Sequence, residues 1–299
     1  MNLIPTFNSF MQRQIKDLKY AGRIRTSETY STALNRLNEF LDGREIGFQE
    51  ITVNLMDRFE KYLYGRSISR NTTSFYMRIL RAVYNRGVDR GWTDQKNPFR
   101  HVYTGVDKTR KRAVTIQVIR RLHDLDLSDN PRLGIARDLF LFSVYTRGMS
   151  FIDMAFLRRQ NLREGMLRYT RRKTGKDFCI RWEPAMQEIV DRYPPNPNGF
   201  LLPIITEQGR DYHRQYKCAI LRTNDALAKI SGILHLDILL TTYVARHSWA
   251  SIAYNNNVPL AVISEGMGHD SERTTRIYLD SVSNAVVDRA NRKIINMLL

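Results

Sequence analysis

Helical periodicity constrains the fold of this chain more than any other feature of its 299-residue sequence. In the first hundred residues, apolar side chains recur every three or four positions in four stretches, and three of these stop near glycines. No segment between them alternates as a strand does. The pattern predicts a small helical bundle over residues 1–104. Thr26 or Ser27 is the candidate N-cap of the second helix, and Ser69 that of the fourth.

Beyond the bundle, one segment has the pattern of a β-hairpin. Residues 166–182 alternate around Thr174-Gly175, a dipeptide typical of turns. Thr115 is placed to cap a helix, residues 132–145 read as a buried helix, and helical patterns follow the hairpin to the C-terminus. The predicted fold class is therefore mainly α. An N-terminal helical bundle precedes a mostly helical C-terminal domain with a small antiparallel β-sheet.

A basic segment separates the two predicted domains. Asn97-Pro98-Phe99 ends the bundle, because proline disfavours helix at the residue before it. Residues 105–112 then read GVDKTRKR and are predicted to link the bundle to a second domain over residues 113–299. Such a linker can lie along a phosphate backbone, and it can equally be a solvated connector.

Composition excludes several classes of protein. A hydrophobic content of 42% is too high for a disordered basic tail. The sequence has no apolar run of about 18 residues, which a membrane-spanning helix requires, and no signal-peptide pattern at its start. Two cysteines, Cys179 and Cys218, form neither a disulfide framework nor a zinc motif. We therefore expect a cytoplasmic, nucleoid-associated protein with no membrane partner.

The formal net charge of +17 favours a polyanionic partner. DNA, RNA or an anionic membrane surface would satisfy it, and a merely basic enzyme is the alternative. The fourth helix carries several arginines with no acidic residue between Arg70 and Arg86, so pairing within the helix does not explain them. We favour phosphate contacts over a solvated face. The candidate DNA-binding residues are Arg70, Arg78, Arg81, Lys111 and Arg112.

Motifs for metals and nucleotides are missing from the sequence. The six histidines include no HExxH or HxH pair, and neither cysteine lies beside one. No P-loop, dinucleotide-binding glycine motif or G-x-S-x-G element occurs. No metal and no cofactor is therefore expected.

A set of polar residues occurs in a distinctive order. Arg147 follows the buried helix, Lys173 lies in the hairpin turn, and Arg246 lies in TTYVARHSWA. His269 follows a glycine in MGHD, and Tyr278 comes nine residues later. Each alone has an ordinary structural interpretation, such as a packed aromatic or a surface cation. Together, in this order, they resemble the tyrosine recombinase (phage integrase) family over essentially the whole chain.

The resemblance implies a fold and a reaction. Residues 1–104 would be a SAM-like core-binding domain, and residues 113–299 the catalytic domain of a site-specific DNA recombinase. Tyr278 would attack a phosphodiester and form a 3′-phosphotyrosyl intermediate. Arg147 and Arg246 would stabilise charge on the phosphate. Lys173 would protonate the leaving 5′-oxygen, with Lys176 as its rival, and His269 would add a hydrogen bond.

Two positions depart from the family's pattern. Tyr243 stands where the family usually has histidine, and a tyrosine hydroxyl donates hydrogen bonds but is a poor proton acceptor near neutral pH. Ser150 stands where an acidic residue is usual, so Asp153 is the nearest candidate to hold Arg147. His247 is interpreted as a structural or supporting residue of the site.

The resemblance also implies partners. These are double-stranded DNA with specific recombination sites, a homo-tetramer on two duplexes, and accessory DNA-bending proteins. Residues 283–299 form an amphipathic pattern that either folds back on its own domain or docks on a neighbouring subunit, and we favour exchange between subunits. The reaction would serve integration, excision or inversion, as in a mobile genetic element. The alternatives are a DNA-binding regulator without catalysis and a type IB topoisomerase-like enzyme.

Overall fold

The computed structural model describes residues 4–107, 112–269, 271–278, 292 and 295–297. The chain divides into two compact units, residues 1–109 and 110–299. The mainly α fold class with a small antiparallel sheet is confirmed. None of the described helices is both long enough and apolar enough to span a bilayer.

The first unit is the predicted helical bundle. Its helices are α1 (Phe7–Tyr20), α2 (Ile24–Phe40), α3 (Val53–Gly65) and α4 (Arg70–Val88), with a 3₁₀ turn at Phe48–Glu50. Thr6, Thr52 and Ser69 cap α1, α3 and α4, each accepting a hydrogen bond from the backbone N–H three residues later. The core between the helices is rich in aromatic rings, including the edge-on pair Phe7 and Phe48.

The start of α2 differs from the prediction. The helix begins at Ile24, ahead of the proposed caps Thr26 and Ser27, and no side chain caps it. Gly22, with φ at 70°, lets the chain reverse directly after α1. The Ser27 hydroxyl is buried and donates to the Ile15 carbonyl oxygen at 3.0 Å. This serine therefore joins two helices instead of starting one.

The first residues of the predicted linker are hydrogen-bonded to α4. Asn71 donates to the carbonyl oxygen of Asp107 at 3.1 Å and accepts from its backbone N–H at 2.7 Å. The Ser74 hydroxyl donates to the Gly105 carbonyl oxygen at 2.5 Å. Residues 105–107 are thus anchored to the bundle, while residues 108–111, including Lys111, lie outside the described residues.

In its described part the second unit has eight helices and a sheet, with a large apolar core and a smaller cluster formed by Ala250, Ile263 and Met267. The helices described in it are α5 (Ile116–His123), α6 (Pro131–Tyr145), α7 (Phe151–Ala155), α8 (Pro184–Asp191), α9 (Tyr212–Ile233), α10 (Thr242–Asn255), α11 (Leu260–Met267) and α12 (Glu272–Tyr278). Thr115 caps α5 by accepting from the Val118 N–H, as the sequence predicts. The central helix α6 is apolar on most sides and buried, so it lies inside the domain.

Three short strands form an antiparallel sheet in the order β1 (Leu162–Arg163), β2 (Met166–Thr170), β3 (Asp177–Arg181). The predicted hairpin is β2 and β3, and β1 is an additional strand of two residues. Tyr169 pairs with Phe178 across the hairpin, and their rings stack with centroids 5.1 Å apart. Residues 171–176 make the turn.

Most of the C-terminal segment lies outside the described residues. Within residues 283–299, only 292 and 295–297 are described, and all four are helical. The prediction that this segment docks on a neighbouring subunit falls almost entirely on the undescribed residues.

Candidate active site

Arg147 lies in the turn between α6 and α7, in an uncommon backbone conformation. Its φ is 61° and that of Gly148 is 72°, so two successive residues are left-handed. The turn is held by the buried Thr146 hydroxyl, which donates to the Phe142 carbonyl oxygen at 2.6 Å. The Arg147 side chain is partly buried, and its guanidinium makes no hydrogen bond or ion pair within the described part of the chain. Its donors are therefore available to an anion.

Arg246, within α10, is a buried cation held by backbone carbonyls. It is 4% exposed; Nη1 donates to the Gly148 oxygen at 2.7 Å, and Nη2 donates to the Met267 oxygen at 2.6 Å. A Cβ at Gly148 would come within 2.9 Å of the Arg246 Cα, so a side chain there would force the two segments apart. Arg246 thus joins the Arg147 turn to the end of α11.

His269 follows Gly268, which ends α11 with φ at 63°. Its Nε2 lies 3.2 Å from the Arg246 Nη2, and its Nδ1 lies 2.8 Å from the Thr275 Oγ1. Arginine only donates, so we assign Nε2 as the acceptor and place the ring proton on Nδ1, facing Thr275. In this tautomer the acceptor nitrogen of His269 faces Arg246.

Tyr278 is the last residue of α12, and its side chain is not among the described ones. Thr275 is fully buried and lies three residues earlier in the same helix, on the turn that precedes Tyr278. The hydrogen bond between Thr275 and His269 therefore ties the helix that carries Tyr278 to the Arg246 cluster.

Two lysines occupy the hairpin turn, and their surroundings differ. Lys173 is exposed and forms no ion pair with any described residue. The Lys176 Nζ lies 2.7 Å from a Glu265 carboxylate oxygen, so that ammonium is already engaged in an ion pair. This difference favours Lys173 over Lys176 as a proton donor.

Asp153 does not hold Arg147 as expected. It is 4% exposed; one carboxylate oxygen accepts from the Ser150 hydroxyl at 2.6 Å and the other from the Arg172 N–H at 2.9 Å. No bond to Arg147 occurs among the described residues, because both oxygens are directed to the start of α7 and to the hairpin turn. Asp153 therefore positions the hairpin turn against α7.

Tyr243, the residue at the usual histidine position, is 54% exposed. It lies three residues before Arg246 on α10, one turn away. Its ring stands edge-on to the partly buried ring of His247, with centroids 4.6 Å apart. The His247 ring thus packs against Tyr243, and the supporting role of His247 stays a prediction.

The cationic site has residues that the sequence did not single out. One is Tyr169, whose ring stacks on Phe178; burial first, then the Asp153 charge, raises the pKa of its phenol. The charges of Arg246, Arg171 and Arg147 act on that pKa in the opposite direction. Arg171 and Thr275 were also missed, because the sequence pattern carries no sign of which polar side chains become buried.

Arg70, the first predicted DNA contact on α4, has partners from the chain that follows the bundle. Its guanidinium carbon lies 3.8 Å from the Tyr103 ring centroid, and its Nη1 lies 3.5 Å from an Asp107 oxygen. It remains exposed, so these contacts orient it without covering it. The spacing of residues within α4 could not reveal this ion pair, because Asp107 lies 37 residues after Arg70.

The other described DNA-contact candidates differ in exposure. Arg78 is partly buried against Phe75, with 5.8 Å between its guanidinium carbon and the ring centroid. Arg81 is exposed and donates to the Thr104 hydroxyl at 3.3 Å. Arg112 is exposed. Within the described residues, no group of three or more histidine, cysteine or acidic side chains could hold a metal ion.

Comparison with known proteins places both parts of the chain. Residues 6–104 match the family model of the phage integrase SAM-like domain. Tyrosine recombinase XerC of Bacillus licheniformis is 23% identical over 290 residues, which cover 93% of this chain and 91% of that protein.

Two solved structures share the fold. A lambda integrase tetramer bound to a Holliday junction matches with a TM-score of 0.68 and 14% identity, over 93% of this chain and 78% of that one. The Tn1549 transposon integrase in complex with a circular intermediate DNA matches with a TM-score of 0.70 and 12% identity, over 96% and 99%.

These similarities extend over both the bundle and the unit that carries Arg147 and Tyr278. They favour neither the regulator without catalysis nor the topoisomerase-like enzyme. Residues 6–104 are thus a phage integrase SAM-like domain, and the whole chain is similar to a tyrosine recombinase in sequence and to integrases in fold.

Proposed function

We propose that this chain is a site-specific tyrosine recombinase, which cleaves and rejoins double-stranded DNA through a covalent 3′-phosphotyrosyl link at Tyr278. One observation carries the proposal: Arg246 and His269 are hydrogen-bonded to each other, and His269 is bonded to Thr275, one turn before Tyr278. Cation, imidazole and nucleophile-bearing helix thus meet at one point, although they are up to 32 residues apart in sequence.

The chemical step needs a proton acceptor and a proton donor. The Tyr278 oxygen forms a bond to phosphorus while the bond from phosphorus to the 5′-oxygen breaks. His269 accepts the phenol proton on Nε2, the acceptor nitrogen of its ring, once that nitrogen faces the phenol, and the Lys173 ammonium gives a proton to the departing 5′-oxygen. Rejoining is the reverse reaction, in which a 5′-hydroxyl attacks the phosphotyrosine.

The two arginines stabilise the charge that gathers on the non-bridging oxygens. Arg246 is fixed by two carbonyls and cannot swing away, so it is oriented before DNA binds. Arg147 keeps its whole fork of donors for the phosphate, and Tyr243, an exposed residue one turn before Arg246 on α10, adds a hydroxyl. Removal of one such donor typically lowers a rate by about 10²–10³.

DNA binding by the first unit and assembly of several copies complete the proposal. The net charge of +17 supports attraction to DNA, and the exposed Arg70 and Arg81 lie on α4 where they can meet phosphates. The lambda integrase with this fold is a tetramer on a Holliday junction. We extend that assembly to this chain, with exchange of residues 283–299 between subunits.

Covalent capture of DNA tests the proposal. Nicked duplexes with a randomised central segment are incubated with the protein, and DNA that stays attached in detergent is recovered and sequenced. The selected duplex then serves as substrate for every variant. We expect a protease-sensitive adduct with the wild type and none with Tyr278→Phe, which should still shift the duplex on a native gel. Failure of the wild type to capture DNA, or an adduct with Tyr278→Phe, would contradict the proposal.

A further inference from the structure

Arg171 is a buried cation, at the end of β2, that the reaction outlined above does not use. It is 7% exposed, and its Nη1 donates to the carbonyl oxygens of Met267 at 3.2 Å and Gly268 at 3.0 Å. Among the described residues it forms no ion pair. Both carbonyls lie at the C-terminal end of α11, where the helix dipole favours a positive charge. A buried guanidinium in this position has a specific structural purpose, because burial of a charge is otherwise unfavourable.

The Met267 carbonyl oxygen is shared by two guanidiniums. It accepts from the Arg171 Nη1 and from the Arg246 Nη2, at 3.2 Å and 2.6 Å. Gly268, the other acceptor of Arg171, directly precedes His269. The side chain of Arg171 is therefore hydrogen-bonded to the short segment, Met267 and Gly268, that positions both Arg246 and His269.

The backbone of Arg171 closes the turn that contains Lys173. Its N–H donates to the Lys176 carbonyl oxygen at 2.8 Å, and its own carbonyl oxygen accepts from the Gly175 N–H at 2.8 Å. One residue thus forms the base of the Lys173 turn and, through its side chain, attaches that turn to the end of α11.

Other contacts between the hairpin and α11 are weaker or less specific. The ion pair of Lys176 with Glu265 involves a carboxylate that is 74% exposed, so water and salt screen it. The Phe178 ring packs against Gly268, and such an apolar contact does not fix an orientation as a hydrogen bond does. The directional, buried connection is the one made by Arg171.

We propose that Arg171 is a positioning residue for DNA cleavage, which holds Lys173 close to the phosphate bound by Arg246. This inference rests on the proposed function, in which Lys173 protonates the 5′-oxygen as the phosphorus–oxygen bond breaks. Without Arg171 the turn is held only by screened or non-directional contacts on its α11 side. A misplacement of about 1 Å can lower a rate by about 10².

The first experiment compares cleavage with binding on the selected duplex. Arg171→Met keeps the length of the side chain and removes its donors, and we expect adduct formation to slow by about 10² while affinity for the duplex changes by less than about threefold. The matched control is Arg168→Met, at an exposed arginine on the same strand whose side chain makes no hydrogen bond or ion pair with another described residue. It removes the same charge and should cleave at about the wild-type rate.

The second experiment separates positioning of Lys173 from a general structural effect. In a duplex with sulfur in place of the bridging 5′-oxygen, the leaving group is a thiolate, which departs without a proton because thiols ionise near pH 8.5. Lys173→Ala and Arg171→Met should both recover most of their lost rate on this duplex. Tyr278→Phe should stay inactive on it.

The outcomes are distinct. Normal cleavage by Arg171→Met on the oxygen duplex would overturn the inference, as would an equal defect on both duplexes while Lys173→Ala recovers. If Arg171→Met does not fold in a thermal melt, Arg171→Lys, which keeps the charge and one donor group, takes its place with the same expected recovery on sulfur. Absence of any wild-type adduct would instead refute the phosphotyrosyl reaction itself.

Discussion

At the scale of single residues, Arg147 combines an unfavourable backbone conformation with an unengaged side chain. A left-handed conformation costs an L-residue about 1–2 kcal/mol, and only glycine adopts it freely. The next residue, Gly148, also has a positive φ, but it is a glycine, whereas position 147 is an arginine. The guanidinium makes no compensating bond among the described residues. Strain of this kind is typical of functional positions.

Replacement of Arg147 by glycine should therefore separate stability from activity. We expect the melting temperature of Arg147→Gly to stay equal or rise, since the strain is relieved, while adduct formation on the selected duplex falls by about 10²–10³. Glu164→Gly is the matched control, because Glu164 is exposed and also left-handed, with φ at 54°. Its melting temperature should change in the same direction, and it should cleave the selected duplex at about the wild-type rate. A large fall in stability of Arg147→Gly would show that the side chain is structural.

At the scale of elements, the junction between α11 and the hairpin determines where His269 lies. Gly268 ends α11 in the left-handed conformation, and a Cβ there would overlap the Phe178 ring, which stacks on Tyr169. The hairpin can approach the helix this closely only because position 268 has no side chain. The glycine before His269 is thus required for two reasons: α11 ends there in a left-handed turn, and the Phe178 ring approaches it closely.

Gly268→Ala should cost more stability than a glycine replacement with the same backbone strain alone. Gly209 has φ at 71° and open space around it, so Gly209→Ala pays only the backbone cost of about 1–2 kcal/mol. Overlap with Phe178 adds about 1–3 kcal/mol to Gly268→Ala. Denaturant unfolding of both variants measures the difference. Equal losses would mean that the ring moves aside without cost.

A second contact between secondary-structure elements joins α6 to the end of α8 through the buried carboxylate of Asp138. Asp138 is 1% exposed and accepts from the Arg137 Nε at 2.9 Å, the Arg192 Nη1 at 2.8 Å and the Tyr193 hydroxyl at 2.7 Å. Burial first, and then the hydrogen bond to Asp138, raises the pKa of the Tyr193 phenol. The fold thus favours the protonated phenol.

The stabilisation from Tyr193 should be lost in alkaline solution. A raised pKa means that the contribution is complete below the unfolded value of about 10 and disappears as the pH rises through the higher folded value. Tyr193→Phe should lose about 1 kcal/mol near pH 7, and its deficit relative to the wild type should shrink above about pH 10. Tyr20→Phe, at a residue 91% exposed, is the control and should match the wild type throughout. A deficit independent of pH would refute this account.

At the scale of the whole molecule, the net charge of +17 acts through individual surface cations. Each phosphate contact releases about one counterion, so the logarithm of affinity falls linearly with the logarithm of salt concentration. Charges that are already paired inside the protein contribute less than exposed ones. Arg81 on α4 is exposed, while Arg36 on α2 lies 2.7 Å from a Glu39 oxygen.

Arg81→Gln should reduce both affinity and its salt dependence. We expect the slope of log affinity against log salt to fall by about 0.9 for the selected duplex. Arg36→Gln should leave the slope unchanged, although both variants lose one charge. Gel-shift titrations at several salt concentrations give the slopes. Equal changes in both variants would mean that only total charge matters, and that α4 is not the DNA-binding face.

By itself the sequence determined local structure and the order of the site residues along the chain. Helical periodicity predicted the bundle, Ser69 and Thr115 predicted helix starts, and Thr174-Gly175 predicted the hairpin turn, because these depend on neighbours along the chain. The order of Arg147, Arg246, His269 and Tyr278 indicated the family. The start of α2 was missed because a tight glycine turn, and not a capping hydroxyl, begins that helix.

Only the tertiary structure decided which polar groups meet. Arg171 reaches carbonyls 96 and 97 residues away, and Asp153 bonds the hairpin turn instead of Arg147. The same holds for Lys176, whose ion pair with Glu265 leaves Lys173 as the exposed lysine of the turn. Burial and hydrogen-bond partners depend on segments distant in sequence that pack together, and a one-dimensional pattern records spacing but not packing.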